Sequence, residues 1–166
     1  MEAKRLTLQI NGRPCQVTAF SNETLLETLR ELACFDVKCG CEKGDCGTCA
    51  VLVDGEAVNS CLTLTWTVSG RSITTVGGLG TEEEPHPLVT AFVKHGAIQC
   101  GYCTPGLIIA AQSMLRDIPD PDLDDIRVGL AGNLCRCTGY SKVFRAVSEA
   151  AAAMREGVAA RAGDRE

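Results

Sequence analysis

Eight of the eleven cysteines in this 166-residue chain fall into two unlike groups, Cys41-x4-Cys46-x2-Cys49-x11-Cys61 and Cys100-x2-Cys103-x31-Cys135-x1-Cys137. Each group offers four thiolates, soft ligands suited to iron-sulfur chemistry, and the first spacing is one that wraps a 2Fe-2S cluster. The chemistry expected of such a chain is one-electron transfer at two centres. In the stretch CGCEKGDCGTC, Gly40, Gly44 and Gly47 permit the backbone to turn its N–H groups toward a compact anionic centre, where they would tune its potential.

Other readings of the cysteines are weaker. Cys39 could replace Cys41 only by lengthening the first gap to six residues, so it is given no ligand role and, with Cys15 and Cys34, is read as a small buried hydrophobe. A zinc ribbon pairs two CxxC knuckles, whereas Cys46-x2-Cys49 is partnered by Cys41 and Cys61. Cys100-Gly-Tyr-Cys103 beside a helix suggests a thioredoxin-like pair, but the flanks read as helix on both sides, without the strands that fold needs. Cys135 and Cys137 are too close for independent structural roles, and helix N-termini stabilise thiolates and anionic clusters. Arg136 between them is either an offset to cluster charge or a solvated or interface arginine.

The elements that must position these groups read clearly. Leu6, Leu8 and Ile10 alternate with polar neighbours, Asn11-Gly12 supplies a hairpin turn, and Cys15, Val17 and Ala19 alternate again. Thr24 and Glu27 form a capping-box pattern ahead of Leu25, Leu26, Leu29 and Leu32 on one face of a helix that ends before the cysteine-rich loop. Ala50 to Val53, Asp54-Gly55 and Glu56 to Val58 predict a second hairpin, and Arg71 to Val76 a last strand, so a helix should pack across a small mixed sheet. Residues 77 to 87, GGLGTEEEPHP, have the composition of a linker. Beyond it nothing reads as strand. Leu88 to His95 should end at Gly96, Thr104-Pro105 should cap and open a helix through Ile108, Ala111 and Leu115, and Asp122 to Leu130 and Ser141 to Met154 complete a four-helix unit. The last dozen residues, REGVAARAGDRE, show no apolar stripe and are expected to fray.

A chain of this length holds one or two compact domains, and the separated cysteine groups favour two. Aromatics are only 4% of the chain, so small cores would need metal cross-links to offset chain entropy. An odd cysteine count and an N-terminus, MEAKRLTLQI, without a long apolar stretch speak against a secreted disulfide framework. No apolar run approaches a membrane span. A net charge of -5 with one Trp and two Tyr speaks against a nucleic-acid binder. Cytoplasmic residence is the expectation.

Through IQCGYCTPG (98 to 106), NLCRCTGY (133 to 140) and GCEKGDCGTC (40 to 49), the chain resembles the small iron-sulfur subunit of the molybdenum hydroxylases. That family includes xanthine oxidase, aldehyde oxidoreductase and carbon monoxide dehydrogenase, and the resemblance covers residues 4 to about 154. It implies an α+β fold, with a plant-ferredoxin-like β-grasp domain over residues 1–78 and a four-helix 2Fe-2S-binding domain over 88–156; the compositional linker then spans 79–87 and the tail without an apolar stripe, expected to be disordered, 157–166. It also implies two partners, a large subunit with a molybdenum-pterin cofactor and a medium subunit with FAD, assembled as a dimer of heterotrimers. Electrons would pass from molybdenum through the helical-domain cluster and the β-grasp cluster to FAD. By the same resemblance Gln99 would hydrogen-bond the pterin, and Cys137 would link cluster and cofactor.

The chain departs from the family in small ways. It has CGTCAV from Cys46 to Val51 where members often read CGACTV, and Cys39 is an additional thiol. Neither removes a ligand. The substrate lies outside the chain, with purine, N-heteroaromatic, aldehyde, carbon monoxide and aromatic thioester chemistry all open. Two rival functions are a free-standing ferredoxin, disfavoured by the helical domain, and a zinc-stabilised interaction module. Gly77-Gly-Leu-Gly80 precedes glutamates instead of opening a helix and is read as a linker turn, His86 and His95 as surface or packing residues, and Glu82 to Glu84 as a solvated face.

Overall fold

The computed structural model describes residues 2 to 163. The alternating N-terminal segments form strands β1 (Ala3–Ile10) and β2 (Arg13–Phe20), joined by Asn11 and Gly12 at φ +49° and +75°. Those two left-handed residues give the turn twist that antiparallel strands need. Helix α1 (Leu25–Glu31) starts on the expected capping box: Thr24 Oγ1 accepts from Glu27 N–H at 3.3 Å and Glu27 Oε2 accepts from Thr24 N–H at 2.7 Å. Strands β3 (Ala50–Val53) and β4 (Glu56–Asn59) flank Asp54-Gly55, and β5 (Ser72–Thr74) completes a sheet ordered β2-β1-β5-β3-β4. The β1/β5 pair is parallel and the other pairs are antiparallel, so the sheet is mixed as expected.

Leu25, Leu26 and Leu29 of α1 pack with Leu6, Leu8, Val17, Val51, Val53 and Ile73 into one core. Each fully buried aliphatic side chain there contributes about 1.5–3 kcal/mol. The helical unit comprises α2 (Pro87–Lys94), α3 (Thr104–Asp117), α4 (Leu123–Gly129) and α5 (Ser141–Gly163). Leu88, Phe92, Leu107, Ile126, Leu130, Val143 and Val147 fill its own core. A third, smaller cluster joins the units: Ile109 of α3 packs on Ala50 and Leu52, with Val76 and Leu79 at its edge. Strand β3 is therefore buried on both faces, which is why its four residues are continuously apolar.

Several boundaries differ from the sequence expectation. β5 is shorter than Arg71 to Val76: Arg71 precedes it, its side chain pairing with Asp54 at 2.6 Å while its carbonyl still accepts from Gln9 N–H, and residues Val76–Gly78 tighten into a 3-10 turn. Thr104 is the first helical residue of α3, not its cap; Cys103 holds the cap position and no side chain bonds the first turn. Helix α5 extends to Gly163, past the start of the expected tail at residue 157. Residues 164–166 of the expected tail lie outside the described residues. Both histidines have partners: His86 Nδ1 accepts from Leu88 N–H at the start of α2, and His95 Nε2 lies 2.8 Å from Glu149 Oε2.

Candidate metal centres

The loop between α1 and β3 carries Cys41 and Cys46, with Cys49 just before β3 and Cys61 in the 3-10 turn Ser60–Leu62 that follows β4. The hairpin thus returns Cys61 to a loop a dozen residues behind it in sequence. The four thiols meet two by two, Cys41 against Cys46 and Cys49 against Cys61. Cys49 and Cys61 are buried, and Cys41 and Cys46 are half-buried. Lys43 N–H donates to Cys41 Sγ at 3.4 Å, and Thr48 Oγ1 lies 3.2 Å from Cys46 Sγ. Backbone donation from Lys43, and next the contact with Cys46, lower the Cys41 pKa to about 7, while burial, and next the contact with Cys49, raise that of Cys61 to about 11.

Glycine is required in the wrap. A Cβ on Gly40 would stand 2.9 Å from Cys46 Sγ, and Gly44 takes φ +83° with Leu62 filling the space a side chain would occupy. Gly40 thus leaves room for the Cys46 sulfur and the Thr48 hydroxyl beside it, and the Gly44 backbone reaches the Cys61 thiol.

The second group lies where helices of the other unit end and begin. Cys100 and Cys103 precede α3, and Cys135 and Cys137 lie between α4 and α5. Cys137 Sγ is 3.7 Å from Cys100 Sγ, both exposed, and Cys103 meets Cys135 at the more buried side. Burial, and next the contact with Cys135, push the Cys103 thiol up to about 12. For Cys135 burial acts the other way from the net shift, but the Thr138 hydroxyl at 3.1 Å and the Thr138 N–H at 3.4 Å outweigh it and lower the pKa. Contact with Cys100 raises that of Cys137.

Among the described residues no three His, Cys, Asp or Glu side chains converge as the ligands of one mononuclear ion would. Within each group the four thiols influence one another, most strongly as Cys41 with Cys46, Cys49 with Cys61, Cys103 with Cys135 and Cys100 with Cys137, and more weakly across those pairs. Four such thiolates are the donor set that a 2Fe-2S cluster would take, and each group would supply one. Bound metal would hold all the thiolates deprotonated, overriding the protonation preferences of the free thiols.

Cys39 is outside the pairs: its thiol donates to Glu42 Oε1 at 2.9 Å, and Cys15 and Cys34 pack at the edge of the α1/sheet core. Gln99 and Arg136 are exposed, Gln99 next to Cys100 in sequence and Arg136 next to Cys137.

The join between the two groups had no sequence signal. Leu134 N–H donates to Cys46 C=O at 3.0 Å, and Asn133 Nδ2, buried, donates to Gly47 C=O at 3.0 Å. Gly106 in α3 lies so near the same loop that a Cβ there would come within 2.3 Å of Gly47 O. Tyr102 Oη donates to Cys39 C=O from the loop carrying Cys100 and Cys103.

Comparison with known proteins gives matches over both units. A 2Fe-2S iron-sulfur cluster binding domain family matches residues 8–72, and a [2Fe-2S] binding domain family matches residues 75–148. One nicotinate dehydrogenase subunit of Pseudomonas putida is 43% identical over 152 residues, covering 91% of this chain and 97% of that protein. The aldehyde oxidoreductase iron-sulfur-binding subunit of Escherichia coli is 40% identical over 166 residues, covering 90% of this chain and 72% of its own length. Among solved structures, a chain of quinoline 2-oxidoreductase from Pseudomonas putida 86 superposes with a TM-score of 0.89 at 40% identity, covering 95% of this chain and 99% of that one. The aldehyde oxidoreductase from Desulfovibrio gigas superposes equally well, at a TM-score of 0.89 and 39% identity, but over only 17% of its much longer chain.

Proposed function

This chain belongs to the iron-sulfur subunits of the molybdenum hydroxylases, and on that premise we propose that it holds two 2Fe-2S clusters and passes electrons from a molybdenum-pterin centre in a large partner subunit to FAD in a medium one. When bound, each cluster takes up and releases one electron. Cys41, Cys46, Cys49 and Cys61 hold the first, and Cys100, Cys103, Cys135 and Cys137 the second. The observation that carries this reading is the pairing of all eight thiols, two pairs in each unit, with the two loops joined by the Leu134 to Cys46 hydrogen bond. Gly40, Gly44 and Lys43 bring backbone to the first set of sulfurs, and Thr138 supplies donors to the second.

The direction is the one the family implies, and exposure supports it: Cys100, Cys137 and the adjoining Gln99 are open to solvent, as an entry side against the pterin requires. There Gln99 orients the pterin by hydrogen bonding and Cys137 links it to the second cluster. The buried Cys49 and Cys61 lie on the far unit, which serves the exit to flavin. The partner subunits select the substrate, and the relatives bear the names of an aldehyde oxidoreductase, a nicotinate dehydrogenase and a quinoline oxidoreductase. The assembly is a dimer of heterotrimers and works in the cytoplasm.

Two measurements test the reading. The purified chain should carry about four irons, two for each 2Fe-2S cluster, and show two distinguishable EPR signals on reduction while oxidising no organic substrate. Two irons, or zinc in their place, would overturn it. In the reconstituted complex, Gln99→Ala should slow reduction of the clusters by substrate while leaving electron exchange between clusters and flavin as it was. Stopped-flow absorbance at iron-sulfur and flavin wavelengths distinguishes these, and equal slowing of both steps would remove Gln99 from the entry side.

A further inference from the structure

Tyr140 has an unusual backbone. Its φ is +65°, in the left-handed region that bulky side chains avoid, so its neighbours must hold it there. Its hydroxyl accepts from Cys135 N–H at 2.7 Å and donates to Asn133 C=O at 3.1 Å. Its ring stacks on Phe144, with centroids 5.9 Å apart, and its N–H donates to Thr138 Oγ1 at 3.3 Å. One phenol oxygen therefore pins both ends of the tripeptide Asn133-Leu134-Cys135.

That tripeptide is the piece of the helical unit that reaches the other cysteine loop. Asn133 Nδ2 donates to Gly47 C=O and Leu134 N–H to Cys46 C=O, both at 3.0 Å. Leu134 is bonded directly to Cys135, so the shortest chain of bonds between the Cys46 and Cys135 sulfurs crosses a single hydrogen bond. The tyrosine hydroxyl also occupies the Cys135 N–H, which would otherwise be free to turn toward sulfur and favour the reduced state.

We propose that Tyr140 is a positioning residue for electron transfer between the two centres, its hydroxyl holding residues 133 to 135 in the geometry that joins the two cysteine loops. This rests on the two-cluster reading above. The unfavourable φ is stable because the hydroxyl pair and the ring stack over-determine it, which is the pattern expected where strain serves function.

Tyr140→Phe keeps the ring and removes only the oxygen. In the full chain carrying both clusters, its doubly reduced form should show a narrowed spin-spin splitting between the two EPR signals. The midpoint potential of the second centre should move positive while that of the first stays at the parent value, a split that a general loss of stability would not produce. A splitting and a second-centre potential identical to the parent would overturn the proposal. Should Tyr140→Phe fail to retain the second cluster, Asn133→Ala decides: it leaves both hydroxyl bonds, which go to backbone, yet removes the link to Gly47. It should narrow the splitting at unchanged potentials, and an unchanged splitting again overturns the proposal. A parent chain with one cluster would sink the two-cluster reading and this proposal with it; a parent with two interacting clusters beside an unaltered Tyr140→Phe sinks this proposal alone.

Discussion

Cys46→Ser and Cys137→Ser chains will each show one reduced-cluster EPR signal where the parent shows two, and each will lose about half of its iron. Cys39→Ser will keep both signals. The reasoning is the grouping: Cys46 meets Cys41, and Cys137 meets Cys100 at 3.7 Å, so removing either would leave its cluster with three of four thiolates. Cys39 instead donates to Glu42 and pairs with no thiol. The loss at Cys137 should carry a larger structural cost. In the helical unit the ligands close the long gap between Cys103 and Cys135 and tie the starts of α3 and α5 together, whereas the first unit retains its five-stranded sheet and the core under α1. Far-UV circular dichroism after iron chelation should accordingly show helix lost in greater proportion than strand. Loss of a signal in Cys39→Ser with both retained in Cys41→Ser would show that the ligand register is wrong by two residues.

Gly106→Ala should destabilise the chain by about 1–3 kcal/mol, as overpacking of a close contact does, even though alanine is the better helix former by roughly 1 kcal/mol in an ordinary helix. The clash wins because its targets are backbone: the new Cβ would stand 2.3 Å from Gly47 O and 3.0 Å from Thr48 Cα, atoms that cannot swing aside as a side-chain tip can. Helix α3 must then move off the loop bearing Cys46 and Cys49, straining the contact of Ile109 with Ala50 and Leu52. For a chain of this size the melting temperature should fall by about 2–4 °C per kcal/mol. Gly132→Ala is the matched control, because a Cβ there meets nothing within 4 Å. Equal melting temperatures for Gly106→Ala and the parent would mean that the two units do not press together at this point.

What could be read from the chain alone was chemistry and local geometry. The short Cys46-x2-Cys49, Cys100-x2-Cys103 and Cys135-x1-Cys137 runs, the Asn11-Gly12 and Asp54-Gly55 turns and the Thr24/Glu27 capping box each depend on residues a few positions apart, so their signals are local. The two halves and their element types followed, because periodicity is also local. Which thiol faces which could not be read, since each group permits three pairings and the choice is made by where β4 returns Cys61 and where α4 and α5 deliver Cys135 and Cys137. Nor could the double burial of β3, whose outer face is covered by a helix from the other unit. The join itself is the extreme case: Asn133 and Gly47 are 86 residues apart, and neither residue type announces a partner. An asparagine before a cysteine loop is polar in any sequence; only the packing of α3 against the sheet brings its amide to the Gly47 carbonyl, with Tyr140 holding the chain in place from the other side.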